Sequence, residues 1–150
     1  MAVKAIPEGY HAITPYLVAT GASKLVDFLK QAFDAQEIFR MPAPDGSIMH
    51  AEIKIGDSML MLGEASEQWK PMPCALVLYV QDADAVYKRA LQAGATSVME
   101  PADQFYGDRQ GGVKDPSGNS WWIATHKEDV SPEELKRRGD EHMKQRQPAS

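Results

Sequence analysis

Apolar and polar positions follow the same order twice along this chain, about 60 residues apart. In each half, an apolar run precedes a segment whose apolar residues recur three and four positions apart, which is the spacing of one helix face. Shorter apolar or alternating runs come next and predict strands. Gly56-Asp57-Ser58 is echoed by Gly118-Asn119-Ser120. A repeat of this length predicts two copies of one supersecondary unit, packed together with a cleft between them.

In the first half we predict a strand at residues 13–18, a helix through 25–33, and strands at 36–41, 49–55 and 58–62. The helix face is formed by apolar residues at helical spacing, namely Leu25, Phe28, Leu29, Ala32 and Phe33. The strand at 49–55 alternates, with an apolar set that we expect under the helix: Met49, Ala51, Ile53 and Ile55. Its polar residues His50, Glu52 and Lys54 are then expected on the opposite face.

In the second half we predict a strand at 75–80, a helix from 83 to about 94, and strands at 97–100, 106–114 and 120–125. Asp82 is expected to cap this helix. Both halves therefore have the order β-α-β-β-β. Ser131, Pro132 and a glutamate at 134 predict the start of a charged helix that reaches about residue 146. We predict one α+β domain at 1–130, with modules at 10–65 and 74–127, and a helical tail at 131–150.

Composition narrows the class of protein. The chain has 150 residues and a net charge of −5, which argues against a nucleic-acid partner. Cys74 is the only cysteine, so no internal disulfide forms, which fits a reducing cytoplasm. The longest apolar run, at 74–80, is too short to cross a membrane, and the first nine residues lack the apolar segment of a signal peptide. We expect a cytoplasmic protein with no membrane partner.

The tandem βαβββ order resembles the vicinal oxygen chelate superfamily, and the chain is similar to its glyoxalase/bleomycin-resistance-like members, close to the PhnB-like branch. The matching stretches are Thr-Pro-Tyr-Leu-Val at 14–18, Asp-Gly-Ser-Ile-Met-His-Ala-Glu at 45–52, Gly-Asp at 56–57, Tyr-Gly-Asp-Arg at 106–109, Asp-Pro at 115–116, Thr-His at 125–126 and Glu-Asp-Val-Ser-Pro-Glu at 128–133. The resemblance implies tandem modules forming a curved mixed sheet around a cleft, and a homodimer with cavities completed across the subunit boundary.

The resemblance also implies four metal-ligand positions on the first and fourth strands of the two modules. In this sequence they are occupied by Ile13 or Thr14, by Leu60, by Ala75 and by Trp122. None is a histidine or carboxylate, and these side chains are poor ligands or none for a divalent cation. We therefore expect no metal and no cofactor at the usual place, with a divalent metal elsewhere as the alternative.

By the resemblance, Leu60 and Trp122 face the cavity, where Trp122 would fill space or stack on a flat guest. His50 and Glu52 would be neighbours there. They could act as an acid–base pair, as polar anchors for a ligand or as two ligands of a displaced metal, or they could simply face water. His126, beside Glu128 and Asp129, is expected to cap a loop.

Further ligand-binding candidates are Tyr106, Asp108 and Arg109. Arg109 could clamp a carboxylate or phosphate, or form a structural ion pair with Asp108, Asp115 or Glu100. Tyr106 could stack on a ligand or pack in the core. Gly111 and Gly112 could admit a ligand close to the backbone or mark a bulge.

Two functions follow from these expectations. One is a metal-free protein that binds a drug or metabolite in a largely apolar cleft. The other is a lyase, isomerase or dioxygenase that uses a relocated metal or the His50/Glu52 pair. A structural or regulatory protein with an empty pocket is a third possibility.

Overall fold

The computed structural model describes residues 2–146 and contains two βαβββ modules followed by a helix. Module one consists of β1 (Tyr16–Ala19), α1 (Ala22–Phe33), β2 (Gln36–Pro42), β3 (Ile48–Ile55) and β4 (Ser58–Glu64). Module two consists of β5 (Ala75–Tyr79), α2 (Ala83–Gln92), β6 (Thr96–Asp103), β7 (Asp108–Lys114) and β8 (Ser120–His126). The last helix is α3 (Pro132–Arg146). The predicted order of elements and the α+β class are confirmed; the end of the predicted tail, 147–150, lies outside the described residues.

Each module forms a four-stranded mixed sheet. The strand orders are β1-β4-β3-β2 and β5-β8-β7-β6. In both sheets the first strand pairs in parallel with the fourth, and the other pairings are antiparallel. One face of each sheet packs under its helix, and we call the other face the open face.

The core lies between sheets and helices and is continuous across the modules. All five residues of the predicted α1 face are buried. α1 packs against α2, and the ring of Phe33 lies 4.9 Å from that of Trp121 between centroids. Arg89 of α2 donates a hydrogen bond from Nε to the carbonyl oxygen of Ala32, at 2.8 Å. The two modules therefore share one core.

The hairpins before β4 and β8 differ in length, and this sets which side chains face the core. Ile55 pairs with Ser58 across a two-residue turn, whereas Lys114 pairs with Ser120 across a five-residue turn. The longer turn is organised by the buried Asp115, which accepts hydrogen bonds from the backbone N–H groups of Ser117 and Asn119.

As a result, positions at equal distance from the two turn glycines lie on opposite sheet faces. Trp122 lies on the open face, but Leu60 pairs with Ile53 and is buried on the helix side. The expectation that Leu60 faces the same cavity as Trp122 is therefore wrong. Leu60 only borders a small cavity of about 200 Å³ near β5, and Met61 takes the open-face position opposite Glu52.

The start of β3 also departs from strict alternation. The register between β2 and β3 shifts between Met41 and Pro42. Because of this irregularity, Ile48 is buried and Met49 is 57% exposed. The expectation that Met49 packs under the helix is wrong, while Ala51, Ile53 and Ile55 are buried as predicted.

The α3 helix has no buried residue and packs on module two through a few contacts. The ring of His142 lies 4.8 Å from that of Phe105, and Arg138 donates a hydrogen bond to the Phe105 carbonyl oxygen. Within residues 2–146, no helix combines the length and the apolar character needed to cross a membrane.

Candidate binding site

The open face of the first sheet carries a polar cluster formed by Tyr10, Tyr16, His50 and Glu52. His50 Nε2 lies 3.9 Å from Glu52 Oε2, and the Tyr16 hydroxyl lies 3.4 Å from His50 Nδ1. The Tyr10 hydroxyl, from the segment before β1, donates a hydrogen bond to Glu52 Oε1. The structure thus places His50 and Glu52 side by side on the open face. Their role in binding or catalysis stays a prediction.

Burial, reinforced by the hydrogen bond to the Glu52 carboxylate, raises the pKa of Tyr10 to about 12. At neutral pH Tyr10 is therefore a hydrogen-bond donor and Glu52 its acceptor. The contacts from Tyr10 through Glu52 and His50 to Tyr16 gather groups that can donate and accept protons on one face of the sheet, as an acid–base or hydrogen-bonding site requires.

Tyr16 also lines a neighbouring cleft of about 780 Å³, which we call the module-one cleft. Its apolar walls come from β1, β3 and the segment between the modules: Tyr16, Val18, Met49, Trp69 and Met72. That segment is fastened to the edge of β1, because the backbone N–H of Met72 donates to the carbonyl oxygen of Val18 at 3.0 Å. The linker is therefore a wall of the cleft.

Gly63, on β4, lines this cleft at a point where neighbouring atoms leave no space for a side chain. A Cβ atom at position 63 would lie 2.6 Å from the carbonyl oxygen of Met49 and 2.8 Å from the Tyr16 hydroxyl. The Tyr16 hydroxyl and the Met49 carbonyl oxygen can both lie this close to position 63 only because the residue there is a glycine. Gly63 therefore helps to set the position of Tyr16 between the polar cluster and the cleft.

The charged side chains that line the module-one cleft are Asp45 and Glu64, both acidic. Hydrogen bonds from the hydroxyl and backbone N–H of Ser47 lower the pKa of Asp45, so it stays ionised. The carboxylate of Glu64 accepts hydrogen bonds from the backbone N–H groups of Gly21 and Ala22 at the start of α1. The cleft therefore combines apolar walls with negative charge.

Sequence reasoning did not find most of this cleft. It identified Met49 as core and left residues 66–73 between the two predicted modules, although Trp69 and Met72 lie in that segment. A tryptophan and a methionine within an otherwise polar segment were the available signal, since these side chains are on average more buried than the polar residues around them.

In module two, the ring of Trp122 lies over Gly112. A Cβ atom at position 112 would lie 2.4 Å from Cζ3 of that ring, and one at position 111 would lie 3.0 Å from Pro101. The two glycines thus make room for neighbouring side chains of the protein, which corrects the idea that they admit a ligand to the backbone. Trp122 as a ligand-stacking residue stays a prediction.

Asp108 lies on the same open face and is 5% exposed. Its carboxylate accepts hydrogen bonds from the Tyr79 hydroxyl and from His126 Nδ1, both at 2.8 Å. Tyr106 packs edge-on against Phe105, and burial raises the pKa of its hydroxyl.

Arg109 lies on the helix side of β7. Its guanidinium contacts both carboxylate oxygens of Asp84, at 2.6 and 2.9 Å, and Asp103 at 3.3 Å. The structural ion pair is thus present, but its partners are not the predicted Asp108, Asp115 or Glu100. Any ligand role for Arg109 would require it to share or leave these carboxylates.

The donor set does not fit the metal centre that the resemblance implies. The predicted ligand positions hold no histidine or carboxylate. Across the part of the chain that the structure describes, no three His, Cys, Asp or Glu side chains come together in a group that could hold a metal ion.

Comparison with known proteins agrees with the observed fold. The profile of the Glyoxalase/Bleomycin resistance protein/Dioxygenase superfamily matches residues 11–123. The "Uncharacterized protein Rv0887c" of Mycobacterium tuberculosis is 38% identical over 135 residues, which cover 83% of this chain and 79% of the relative.

Two solved structures are similar over most of this chain. TioX from Micromonospora sp. ML1 has a TM-score of 0.67 and 27% identity, covering 77% of this chain and 98% of TioX. TnmS3 from Streptomyces sp. CB03234, described as an antibiotic binding protein, has a TM-score of 0.63 and 21% identity, covering 83% of this chain and 99% of TnmS3.

Proposed function

Because the chain belongs to the glyoxalase/bleomycin resistance protein/dioxygenase superfamily, we propose that it binds a small, flat, amphipathic molecule in the module-one cleft and needs no metal to do so. The observation that carries this proposal is the cleft itself. Its volume of about 780 Å³ falls within the range of small-molecule sites. A drug-like or metabolite-like compound fits this space.

The walls of the cleft favour an aromatic guest. Tyr16 and Trp69 offer ring faces for stacking, and Met49 and Met72 are flexible apolar side chains that adapt to irregular shapes. Next to these walls, His50 and Glu52 supply polar groups that could orient the guest. This is the combination of apolar surface and few polar groups that is common in ligand sites.

Charge favours a guest that carries a positive charge. Asp45 and Glu64 line the cleft, and a cation would also gain from the aromatic ring faces. TnmS3, at 21% identity, shares the fold, and its description as an antibiotic binding protein gives an example of that fold used for binding. We propose the same kind of use here.

Ethidium, a flat aromatic cation, is a suitable probe. We expect a saturable fluorescence change with one site per chain. Met72→Ala is expected to weaken binding about threefold to tenfold because apolar contact is lost. Met143→Ala is a matched control, because Met72 is 67% exposed and Met143, on α3, is 61% exposed. Equal effects of the two substitutions, or no binding at all, would contradict a cationic guest in this cleft.

The metal-free part of the proposal has its own test. Protein purified without chelators should contain far less than one equivalent of zinc, nickel, manganese or iron by elemental analysis. The unsuitable side chains at the predicted ligand positions support this expectation. A stoichiometric metal that resists dialysis would overturn it.

A second candidate function is a lyase or isomerase that uses the His50/Glu52 pair. The position of both side chains on one sheet face, 3.9 Å apart, favours this candidate, because a general acid and a general base must both reach the same substrate. The hemithioacetal of methylglyoxal and glutathione is a suitable test substrate. Turnover that is lost in both His50→Gln and Glu52→Gln would establish the enzyme, and equal rates with and without protein would exclude this reaction.

We also propose that the protein is a cytoplasmic homodimer. The free Cys74 and the acidic net charge support a reducing compartment without a nucleic-acid partner. Exposed apolar side chains on the sheets, among them Phe39 and Met41, support a partner subunit.

A further inference from the structure

A second cavity, of about 710 Å³, lies between the two modules, and we call it the intermodular groove. Module one contributes Phe33 and Lys54, and module two contributes Val86, Arg89 and His126. The groove therefore has an apolar lining from both modules and basic side chains from both. It shares no lining residue with the module-one cleft.

The imidazole of His126 is held in one orientation by a buried carboxylate. Asp108 accepts the Nδ1 hydrogen bond at 2.8 Å, and its other oxygen accepts from Tyr79, at 2.8 Å. A buried carboxylate is stable only when it is paired in this way. Since Nδ1 is occupied, Nε2 is the nitrogen that can bind a further group.

The group at Nε2 in this structure is the carboxylate of Asp129, at 2.7 Å. The Asp129 side chain is fully exposed, in contrast to that of Asp108. An exposed ion pair contributes at most about 1 kcal/mol, so water or another anion can readily replace it. The Asp129 carboxylate therefore marks a position where an anionic group meets His126.

We propose that the intermodular groove binds an organic anion with an apolar body, whose carboxylate replaces that of Asp129 at His126 Nε2 while Lys54 and Arg89 supply further positive charge. The apolar body would lie against the lining that includes Phe33 and Val86. This site and its ligand class are separate from those proposed for the module-one cleft.

The charges along the groove support an anion. Hydrogen bonds to Asp108 and then to Asp129 raise the pKa of His126, which favours the imidazolium form. Among the described residues Lys54 forms no ion pair within 4.0 Å. Arg89 pairs with Asp34 at 3.4 Å, and this is the only acidic residue that lines the groove. Once Asp129 is displaced, the three basic groups of Lys54, Arg89 and His126 face two carboxylates, those of Asp34 and Asp108.

The experiment compares naphthoate with its uncharged isostere naphthamide by titration calorimetry on the full chain. The two probes share an apolar body and differ in charge. We expect naphthoate to bind at least about tenfold more tightly, which corresponds to one charge-assisted hydrogen bond. Inorganic phosphate, which lacks the apolar body, should bind much more weakly than naphthoate.

Two exposed substitutions test the orientation of the ligand. Lys54→Gln should weaken naphthoate binding about threefold to tenfold, because an attractive charge is lost. Asp129→Asn should tighten it about threefold, because the competing carboxylate is removed. Trp69→Ala, in the module-one cleft, is the control and should leave naphthoate affinity unchanged.

Three results would overturn the proposal. The first is equal affinity for naphthoate and naphthamide. The second is naphthoate binding that Trp69→Ala abolishes, which would locate the probe in the module-one cleft. The third is an unchanged affinity in both Lys54→Gln and Asp129→Asn, provided that circular dichroism shows both variants folded.

Discussion

His126 connects buried and exposed acidic groups, and its protonation contributes to the stability of the fold. Its hydrogen bonds to Asp108 and Asp129 raise its pKa in the folded state above the usual value of 6.5. A group with a raised folded pKa adds stability that is fully present below its unfolded pKa and is lost as the pH rises through the folded pKa. The stabilising effect of His126 should therefore be largest in mildly acidic solution.

This dependence can be measured by urea unfolding of the wild type and His126→Gln between about pH 5.5 and about pH 9, a range that brackets the titration of histidine. The difference in unfolding free energy between the two proteins should be greatest below about pH 6.5 and shrink as the pH rises. Taking this difference removes the pH dependence that the other titratable groups contribute equally to both proteins. A difference that stays constant or grows with pH would show that Asp108 does not hold a charged imidazole.

A substitution at Gly112 tests whether the Trp122 ring packs against the backbone of the second sheet. Gly112→Ala should destabilise the protein by about 1–3 kcal/mol, since the added methyl group overlaps the indole ring. The backbone at this position has no positive φ angle, so the effect comes from the contact. In a Trp122→Val background the same substitution should be nearly neutral, because the ring is gone. Equal destabilisation in both backgrounds would refute the contact.

For single residues, strand periodicity predicted the correct sheet face wherever the strand is regular. It brought His50 and Glu52 to one face, and it predicted that Ala51 and Ile53 are buried on the other. It failed for Leu60, because the length of each hairpin turn decides which face follows, and turn length is not visible in a repeat of glycines. Trp69 could not be assigned either, since its cleft forms from segments that are distant in sequence.

The α1 helix depends on a residue from another element. It begins after Gly21, which provides no side-chain cap, and the Glu64 carboxylate from β4 accepts the hydrogen bonds of Gly21 and Ala22 instead. These contacts satisfy backbone groups that the helix leaves without partners and place a negative charge at its positive end. The start of α1 and the rim of the module-one cleft are therefore coupled through one side chain.

Glu64→Ala should lower the unfolding free energy by about 1–2 kcal/mol, the effect of losing a strong helix cap. Glu64→Gln should lower the unfolding free energy by less, because its amide oxygen can still accept one of the two hydrogen bonds. Glu67→Ala, an exposed glutamate in the following linker, is the matched control and should stay within about 0.5 kcal/mol of the wild type. Urea unfolding measures all three, and equal values for positions 64 and 67 would rule out the cap.

The helices and strands could be predicted from the sequence because each of them has its own local pattern of apolar and polar residues. The α1 face and the Asp82 cap of α2 are local, and both are observed. The cap by Glu64 spans more than 40 positions, and the shift at Met49 depends on pairing with β2. Features of this kind arise from tertiary contacts, so local patterns do not contain them.

The whole molecule combines two cavities with opposite charge. Asp45 and Glu64 line the module-one cleft, whereas Lys54 and Arg89 line the intermodular groove. Packing of Phe33 on Trp121 joins the modules, so the groove is formed by the same contacts that complete the core. A single packed core thus supports both cavities, for which we propose different ligands.

The open face of the first sheet carries exposed apolar side chains beside its polar cluster. Phe39 and Met41 from β2 are 44% and 46% exposed, and Met49, on the neighbouring strand β3, is 57% exposed. Exposed apolar patches of this kind commonly mark protein interfaces or ligand sites. We expect the protein to sediment as a dimer at micromolar concentration, with Phe39 in the interface.

Phe39→Glu should shift the sedimenting species to the monomer, because burying an unpaired carboxylate at an interface is strongly unfavourable. Met143→Glu, at an exposed position on α3, should leave the dimer intact. Far-ultraviolet circular dichroism should show both variants folded, since neither position lies in the core. A wild type that sediments as a monomer would refute the dimer, and a dimer that survives Phe39→Glu would move its interface away from β2.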